Sequence, residues 1–272
     1  MKTFHIHLIS DSTGETVITA ARAALVQFEG VETIEHVWPM VRGLSQVDEV
    51  IVGIKTHPGF VLYTLVNAET RSILEKGCRR LQVPSIAILQ PIVAALGLYL
   101  GAEVHARPGR QHIMDDDYFD RIEAMHFVLN HDDGQSTRDL NDADVVVVGV
   151  SRTSKTPTCI YLANRGIKAA NIPVVPGCPL PPEILEAEHP LIVGLTEDPK
   201  RLVEIRLSRL RMLKQDQRTD YVDGERVAQE INAARRLFVS RGWPVIDVTR
   251  RSIEETAARI LQLYNRRQEQ TP

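Results

Sequence analysis

The sequence predicts an α/β protein built on mostly parallel sheets. Short apolar runs recur along the chain, and several are apolar at consecutive positions, as expected for strands covered on both faces. Longer segments with apolar residues three and four apart separate these runs, a spacing typical of amphipathic helices. Strand–helix–strand alternation of this kind favours parallel pairing. The predicted strands cover residues 4–9, 50–54, 85–89, 145–148, 191–195 and 245–248.

Helical spacing is clearest in four segments. Residues 16–28 (TVITAARAALVQF) and 68–81 (AETRSILEKGCRRL) lie in the N-terminal half, and the basic segment 198–214 (DPKRLVEIRLSRLRMLK) follows a predicted strand in the C-terminal half. The last segment is a C-terminal helix. Ser252 and Glu255 at its start fit the S-x-x-E capping pattern, in which each side chain bonds to the backbone of the other residue.

A polar, acidic stretch over residues 105–142 separates two α/β halves. We therefore expect an N-terminal α/β domain over 1–105, a connecting helical and polar segment over 106–140, and a C-terminal domain over 141–272. Negative charge is favourable at a helix start, so one helix of the connecting segment should begin at three consecutive aspartates: Asp115, Asp116 and Asp117.

Composition and charge are those of an ordinary globular protein. The chain has 272 residues, of which 43% are hydrophobic and 25% charged, and its net charge of -3 gives no reason to expect a nucleic-acid or membrane partner. No stretch approaches the roughly 20 apolar residues that span a bilayer, and the N-terminus lacks the apolar core of a signal peptide. Cys78, Cys159 and Cys178 form no C-x-x-C pair and fit a reducing compartment. The expected location is cytoplasmic.

Residues 142–166, DADVVVVGVSRTSKTPTCIYLANRG, nearly match a phosphate-binding loop. Such a loop has the pattern G-x-x-x-x-G-K-[ST] between a buried strand and a helix, and its N–H groups, lysine and helix N-terminus surround phosphate. The valine run supplies the strand, Pro157 fits the first helical turn, and Gly166 fits the helix end. The candidate nucleotide-binding residues are Gly149, Val150, Ser151, Arg152, Thr153, Ser154, Lys155 and Thr156.

One position departs from that pattern, because Ser154 stands where the second glycine belongs. Copying glycine's left-handed conformation would cost serine about 1–2 kcal/mol, which charge-assisted contacts to phosphate would offset. Arg152 adds a cation, Lys155 starts the helix, and the Thr156 hydroxyl is placed to bind Mg²⁺. An ordinary strand–turn–helix with an exposed lysine is the alternative. The combination of strand, glycine, lysine and helix favours a phosphate site and hence a C-terminal P-loop kinase-like domain.

Three further polar segments are candidates for chemistry. Asp132 and Asp133 precede the valine run, and phosphoryl transfer needs a carboxylate to orient or deprotonate the nucleophile; a solvated acidic turn is the alternative. The turn at 10–14 (SDSTG) follows a strand, where open α/β sheets bind ligands, although Ser12 and Glu15 equally fit a capped helix start. Three arginines of the basic helix could reach a phosphoryl group from a lid or simply solvate one helix face: Arg206, Arg209 and Arg211.

Four long segments, in order along the chain, resemble one known family. They are HLISDSTGET, QHIMDDDYFDRIEAMHFVLNHDDG, VVVVGVSRTSKTPTCIYLANRGIKAANIPVVPG and VIDVTRRSIEETAARI. They are similar to the bifunctional regulatory proteins of pyruvate, phosphate dikinase over nearly the full chain, and the related regulators of phosphoenolpyruvate synthase share the overall pattern. SDSTGET and GVSRTSKT resemble the dikinase branch more closely, and members of that branch carry serine at the position of Ser154.

The resemblance implies a serine/threonine kinase that uses ADP as its phosphoryl donor. Its protein substrate would be pyruvate, phosphate dikinase, which is inactivated by phosphorylation of a threonine beside its catalytic histidine. In the reverse switch, inorganic phosphate would remove that phosphoryl group as pyrophosphate. On this basis we expect Lys155 to stabilise the transferred charge and Thr156 to bind Mg²⁺, while Asp132 or Asp133, in preference to Asp11, assists the attacking oxygen.

Other functions stay open at this stage. The same chemistry could act on phosphoenolpyruvate synthase, and a small-molecule kinase would instead use ATP and a metabolite. A non-catalytic sensor would bind ADP and a protein partner without transferring phosphate. The N-terminal half is large enough to supply a homodimer interface, and the sequence leaves the oligomeric state open.

Overall fold

The computed structural model describes residues 3–105, 116–216 and 219–270. The chain divides into two compact units, Met1–Ile113 (unit 1) and Met114–Pro272 (unit 2). Each unit contains one four-stranded sheet in which all the described pairings are parallel. The predicted α/β fold class is therefore confirmed. No helix within the described residues has the length and apolar character needed to cross a membrane.

Unit 1 alternates strands and helices from its start. Its sheet has the order β2-β1-β3-β4. The elements are β1 (Thr3–Ile9), α1 (Glu15–Leu25), β2 (Glu32–Trp38), α2 (Leu44–Thr56), β3 (Phe60–Tyr63), α3 (Ala68–Leu81), β4 (Ser85–Ala87) and α4 (Gln90–Leu100).

Unit 2 places a helix before its first strand and has the sheet order β6-β5-β7-β8. Its elements are α5 (Asp116–Asn130), two 3₁₀ turns (Asp132–Gly134 and Leu140–Asp142), β5 (Val145–Gly149), α6 (Lys155–Ala163), β6 (Ala169–Pro173), α7 (Pro182–Glu186), β7 (Leu191–Thr196), α8 (Pro199–Met212), a 3₁₀ turn (Asp220–Val222), α9 (Gly224–Ser240), β8 (Val245–Asp247) and α10 (Ile253–Gln270).

The two sheets have the same strand order when each is counted from its own first strand. In both sheets the first strand lies between the second and the third. The chain therefore adds its second strand on one side of the first strand and its third strand on the other side. The loop after such a strand lies at a topological switch point, where open α/β sheets bind ligands. These loops are residues 10–14 after β1 and residues 150–154 after β5.

Several predicted strands are confirmed, but the strand predicted over 50–54 is wrong, because those residues lie in α2. Val47, Val50 and Ile54 recur three and four residues apart and are buried against one face of the sheet. This helical period outweighs the strand preference of a β-branched run. The sequence prediction also omits β2, β3 and β6. β2 is an edge strand with two glutamates, β3 has only four residues, and β6 begins with two alanines.

The helix starts were predicted with mixed success. The cap at Ser12 and Glu15 is wrong: α1 starts behind Gly14, which has a φ of 88° and no capping side chain. The Ser252–Glu255 cap is confirmed, since the Ser252 N–H donates to Glu255 Oε2 at 2.8 Å and the Glu255 N–H to Ser252 Oγ at 3.1 Å.

Part of the predicted connecting segment belongs to the core of unit 2. Ala124 and Val128 of α5 lie in the same hydrophobic cluster as Val145 and Val147 of β5. Asp116 and Asp117, two of the three aspartates expected at a helix start, lie at the first described positions of α5. Asp115, together with the rest of 106–115, lies outside the described residues.

Candidate functional site

The strand that leads into the candidate phosphate loop is buried along its whole length. Val145 and Val147 pack in a core that includes residues of α6 and α10, whereas Val146 and Val148 pack in a second core with residues of α8 and α9. β5 also pairs with β6 on one side and β7 on the other. The start of the loop is therefore held firmly by helices above and below and by strands on both sides.

Gly149 is required at the start of the loop by close packing. A Cβ at this position would lie 2.7 Å from Thr153 Oγ1 and 3.0 Å from the carbonyl oxygen of Leu195, closer than a carbon atom tolerates. The fully buried Thr153 in turn donates its hydroxyl to the Val150 carbonyl at 2.9 Å. This internal bond folds the loop back over the end of β5.

Two residues of the loop have left-handed backbone conformations. Arg152 has a φ of 75° and Ser154 a φ of 59°. Ser154 thus adopts the conformation that the glycine of the usual pattern would take, and it directly precedes α6. Left-handed residues beside right-handed ones turn successive N–H groups to one side, an arrangement that forms anion-binding concavities.

Helix α6 begins at Lys155, two residues before Pro157, and ends at Ala163, three residues before Gly166. The N–H of Thr158 donates to the Ser154 carbonyl at 3.1 Å, so the helical ladder starts there. The N–H groups of the preceding first turn have no acceptor within the helix and carry the positive end of its dipole. They are the donors that an anion at this position would bind.

The Lys155 side chain lies inside the loop and is only 5% exposed. Its Nζ donates to the Val150 carbonyl at 3.1 Å. Burial lowers its pKa, while the nearby carboxylates of Asp133 and Asp132 oppose that shift. Within the described residues no carboxylate forms a salt bridge with this ammonium group. A buried cation with only a carbonyl partner is well suited to bind an anionic ligand.

A small polar network links the start of α6 to the turn after α5. Thr156 donates its hydroxyl to Asp132 Oδ1 at 2.7 Å, and Asn171 Nδ2 donates to the same oxygen. Asn171 is buried on β6, and its Oδ1 accepts the N–H of Asp133 at 3.0 Å. Thr156 and Asp132, predicted separately, are thus brought together by Asn171, which the sequence prediction missed. The signal for it was an amide in an otherwise apolar strand, AANIP.

Asp133 has a different environment from Asp132. Its backbone is left-handed, with a φ of 48° and a ψ of 34°, and its side chain is exposed. Its carboxylate makes no hydrogen bond within the described residues, although its charge acts on Lys155. Asp132 is therefore fixed beside Thr156, whereas the Asp133 carboxylate is accessible to a second molecule.

Arg206 holds the outer side of the loop and is only 1% exposed. Its guanidinium group forms two hydrogen bonds with Glu230, at 2.8 and 2.9 Å, and donates to the carbonyl oxygens of Ser151 and Tyr221. It also lies 4.4 Å from the centre of the Tyr221 ring, whose hydroxyl is 3.2 Å from Ser151 Oγ. The interpretation of Arg206 as a lid residue is therefore wrong: its buried head group fixes the backbone of the loop.

The other arginines of α8 differ from Arg206. Arg209 lines a cavity of about 380 Å³ together with Arg152 and Arg201. Its Nε atom is buried and has no hydrogen-bond partner within the described residues. This cavity adjoins the phosphate loop through Arg152, so Arg209 remains a candidate for contact with a phosphoryl group. Arg211 is exposed.

Asp11, the remaining carboxylate considered for catalysis, lies in unit 1 after β1. Its Oδ2 accepts the N–H of Val66 at 2.7 Å, and its carbonyl accepts Nε of Arg42 at 2.8 Å. Burial raises the pKa of Asp11, against the hydrogen bond from Val66 and the charge of Arg42. Its carboxylate is thus used inside unit 1.

A metal ion at the site would have few protein ligands. The described residues contain no group of three or more His, Cys, Asp or Glu side chains arranged to hold a metal. The adjacent oxygen atoms of Thr156 and Asp132 nevertheless fit Mg²⁺, which binds oxygen ligands and usually takes only one or two from the protein, with phosphate and water completing the shell.

Comparisons with known proteins identify the relatives of this chain. Residues 6–261 match the model of a family described as kinase/pyrophosphorylase. A protein of Paramagnetospirillum magneticum, provisionally named pyruvate, phosphate dikinase regulatory protein, is 57% identical over 98% of this chain and 86% of its own. A protein of Caulobacter vibrioides with the same provisional name is 54% identical over 96% of this chain and 83% of its own.

Among solved structures, a mitochondrial ornithine carbamoyltransferase from Coccidioides immitis aligns with 12% identity and a TM-score of 0.23, over 93% of this chain and 73% of its own. A likeness that weak supports no inference. The family model covers almost the whole chain, and the named relatives share more than half of its residues. The chain therefore belongs to the kinase/pyrophosphorylase family.

Proposed function

We propose that the protein is a bifunctional regulator of pyruvate, phosphate dikinase. In one direction it transfers the terminal phosphoryl group of ADP to a threonine of the dikinase, beside the catalytic histidine, and inactivates it. In the other direction it transfers that group from the threonine to inorganic phosphate. The observation that carries the proposal is the loop after β5, where the buried Lys155 ammonium lies beside the Thr156–Asp132 pair. The names of the relatives supply the dikinase as the target.

The loop would hold the diphosphate of ADP. Its left-handed turns and the first turn of α6 supply N–H donors, and Lys155 and Arg152 supply positive charge. Lys155 would exchange its bond with the Val150 carbonyl for a bond with a phosphate oxygen. Because the ammonium is already desolvated, this exchange requires little further loss of water.

Thr156 and Asp132 would provide the oxygen ligands for Mg²⁺, which neutralises phosphate charge during transfer. Asn171 fixes the Asp132 carboxylate in place for that role. The exposed carboxylate of Asp133 would orient the threonine hydroxyl and accept its proton. The threonine oxygen then bonds to the terminal phosphorus, the bond from that phosphorus to the bridging oxygen breaks, and AMP leaves.

The reverse switch needs the same electrostatic arrangement. An oxygen of inorganic phosphate attacks the phosphorus of the phosphothreonine, the bond to the threonine oxygen breaks, and pyrophosphate forms. The leaving threonine oxygen recovers a proton, which Asp133 would return. Since both reactions move a phosphoryl group past the same cations, one loop can serve both directions.

The decisive experiment uses ADP labelled on its terminal phosphate, with three acceptors compared in parallel: the dikinase, phosphoenolpyruvate synthase, and no protein. We expect label on a dikinase threonine, with one AMP formed per phosphorylated threonine, and release of labelled pyrophosphate when phosphate is added. Label on the synthase alone would assign the other target. ADP binding without transfer would identify a sensor, and transfer from ATP to a metabolite would identify a small-molecule kinase.

A further inference from the structure

A large groove in unit 2 adjoins the phosphate loop. Its cavity volume is about 850 Å³, and it reaches the loop at Ser151. One wall is the loop of residues 173–177 at the end of β6, and the other wall is a face of α9. We call it the α9 groove. Lys155, Thr156 and Asp132 are not among its lining residues, so the groove extends away from the proposed phosphate and Mg²⁺ positions.

The groove begins close to the carboxylate that is accessible to a second molecule. The Asp133 N–H is bonded to Asn171 on β6, and the loop wall starts two residues later at Pro173. A Cβ at Gly134 would lie 3.4 Å from Cδ of Pro173. Asp133 and the loop wall are therefore at the same end of β6, and a polypeptide that brings a hydroxyl to Asp133 can continue into the groove.

The loop wall is anchored and has exposed backbone groups. The Val174 N–H donates to the Gly149 carbonyl at 2.9 Å, which ties this loop to the end of β5. The Cys178 N–H donates to the Val175 carbonyl at 3.1 Å. The N–H groups of Val175 and Gly177 make no hydrogen bond within the described residues, and both residues are exposed. Exposed backbone groups beside apolar side chains are features that bind extended peptides.

The helix wall is long and carries one unpaired cation. Its residues recur on one face of α9 from Arg226 to Arg236, which at a rise of 1.5 Å per residue is a length of about 15 Å. That length matches about four or five residues of extended chain. Glu230 is paired with Arg206. Arg226 is likewise paired with Asp220, whereas Arg236 is exposed and forms no ion pair within the described residues.

We propose that the α9 groove binds the acceptor protein, as an extended segment next to the target threonine with an acidic side chain opposite Arg236. This inference rests on the proposed function, because it takes the acceptor to be a protein. A metabolite hydroxyl needs only the space beside Asp133. A threonine within a polypeptide also brings its neighbours, and the α9 groove offers them backbone partners on one wall and a positive charge on the other.

Filling the groove tests this inference in the full-length protein. Ala233 on α9 is exposed and lines the groove, whereas its neighbour Asn232 is exposed and is not a lining residue. We expect Ala233→Trp to raise the KM for the dikinase by about tenfold or more, because the indole occupies space that the peptide needs. The kcat and the calorimetric affinity for ADP should not change. Asn232→Trp, the matched control, should keep all three wild-type values, and circular dichroism establishes that both variants are folded.

A second variant tests the charge, and a crosslink identifies the occupant. Arg236→Glu should raise the KM for the dikinase by about threefold to fivefold, the strength of an exposed ion pair, and by more at low ionic strength. Arg241→Glu, at an exposed position outside the groove, is its control. The photoreactive residue p-benzoylphenylalanine in place of Ala233 should crosslink to the dikinase segment that contains the target threonine.

Failure of this inference and failure of the proposed function give different results. A wild type that transfers no label from ADP to the dikinase would exclude the proposed function, and the assignment of the groove with it, before any variant is compared. Where the wild type transfers label, three results would overturn the inference alone: an unchanged KM for the dikinase in Ala233→Trp, a crosslink to a dikinase segment far from the threonine, or a loss of ADP affinity in Ala233→Trp. The last result would assign the groove to the nucleotide.

Discussion

The loops after β1 and after β5 occupy the same position in two sheets of the same strand order, yet they use their polar groups differently. In the first loop, Thr64 donates its hydroxyl to Ser10 Oγ at 3.0 Å, and Asp11 accepts a backbone N–H at 2.7 Å. The Arg42 side chain donates to the carbonyl of Asp11. The polar groups of this loop bond mainly to one another and to the strands beside it.

The loop after β5 presents charge instead. The Val150 carbonyl accepts bonds from Thr153 and Lys155, but the Lys155 ammonium has no carboxylate partner at salt-bridge distance within the described residues. Arg152 adds a second cation, and Arg206 fixes the backbone from outside. The two loops therefore share a topological position and differ in the charge of a few side chains, and to this charge we attribute the proposed anion binding of the second loop.

The largest difference between the loops should appear in catalysis. We expect Lys155→Ala to reduce label transfer from ADP by about 10²–10³-fold, because it removes a preorganised charge from the transferred group. Asp11→Asn in the other loop should leave the transfer rate close to that of the wild type. Steady-state transfer to the dikinase measures both. Lys168→Ala, a lysine of unit 2 paired with Glu123 at 2.6 Å, is the matched control. A Lys155→Ala protein that retained both activities would exclude the assigned role.

Stability should distinguish the buried support of the second loop from surface ion pairs. Arg206→Met leaves Glu230 buried without its partner, and we expect the free energy of unfolding to fall by about 3–5 kcal/mol. Adding Glu230→Leu should recover much of this loss, because no unpaired charge then remains. Arg201→Met, which breaks an exposed pair with Glu204, should have little effect. Denaturant unfolding measures all three. Equal effects at Arg206 and Arg201 would contradict a supporting role for Arg206.

The sequence predicts the second loop well because its signals are local. A continuous valine run, a glycine, a lysine and a helix follow one another within 25 residues, and close packing at Gly149 explains why that residue is a glycine. Residues from distant segments are harder to predict. Asn171 forms a hydrogen bond with Asp132, 39 positions away in the sequence, and Glu230 forms one with Arg206, 24 positions away. Nothing in the local sequence of either residue specifies its partner.

Strands were predicted where the sequence reads as a continuous apolar run and missed where glutamates, alanines or a short length obscure that run. β5 and β7 are completely buried and read as continuous apolar runs. β2 lies at the edge of its sheet, and exposed residues, including two glutamates, interrupt its apolar residues. It therefore does not form a continuous apolar run in the sequence. Residues 50–54 have the composition of a strand, but the buried residues Val47, Val50 and Ile54 recur at helical spacing on one face of α2. Composition alone does not distinguish these cases; the spacing of buried residues does.

The two units should also respond differently to acid. His7 is buried in unit 1, where its Nε2 bonds to the His57 carbonyl at 2.8 Å and its Nδ1 accepts from Trp38 at 3.2 Å, which fixes a neutral ring. Burial is the main cause that lowers the pKa of His7, and the charges of His36, His5 and His57 lower it further. The bond to the His57 carbonyl opposes this shift. Because the pKa of His7 is lower in the folded chain than in the unfolded chain, where it is about 6.5, this residue favours the folded state fully only above pH 6.5. The contribution is lost as the pH falls from 6.5 through the pKa of the folded state.

Below pH 6.5 we therefore expect the unfolding free energy of unit 1 to fall by up to about 1.4 kcal/mol per pH unit from this group. The chain has two tryptophans, Trp38 in unit 1 and Trp243 in unit 2. In a Trp243→Phe background, Trp38 fluorescence follows the unfolding of unit 1 alone. Replacing His7 with Gln, which does not titrate, should flatten the profile. An unchanged slope in His7→Gln would assign the pH dependence to other groups.

The smallest effect concerns the residue that precedes the helix in each loop. Gly14 and Ser154 both have left-handed backbones, with φ of 88° and 59°, directly before α1 and α6. Ser154→Gly should stabilise unit 2 by about 1 kcal/mol, because glycine adopts this conformation without strain. Gly14→Ser should destabilise unit 1 by a similar amount. A Cβ at Gly14 meets no atom closer than 3.7 Å, so backbone strain alone is tested.

Trp243 fluorescence measures the unfolding of the Ser154→Gly protein, and Trp38 fluorescence measures that of the Gly14→Ser protein. Calorimetry with ADP should show unaltered affinity for Ser154→Gly. If Ser154→Gly instead weakened ADP binding strongly, the serine hydroxyl itself would have to contact the ligand, and the second loop would differ from the first by more than its charges.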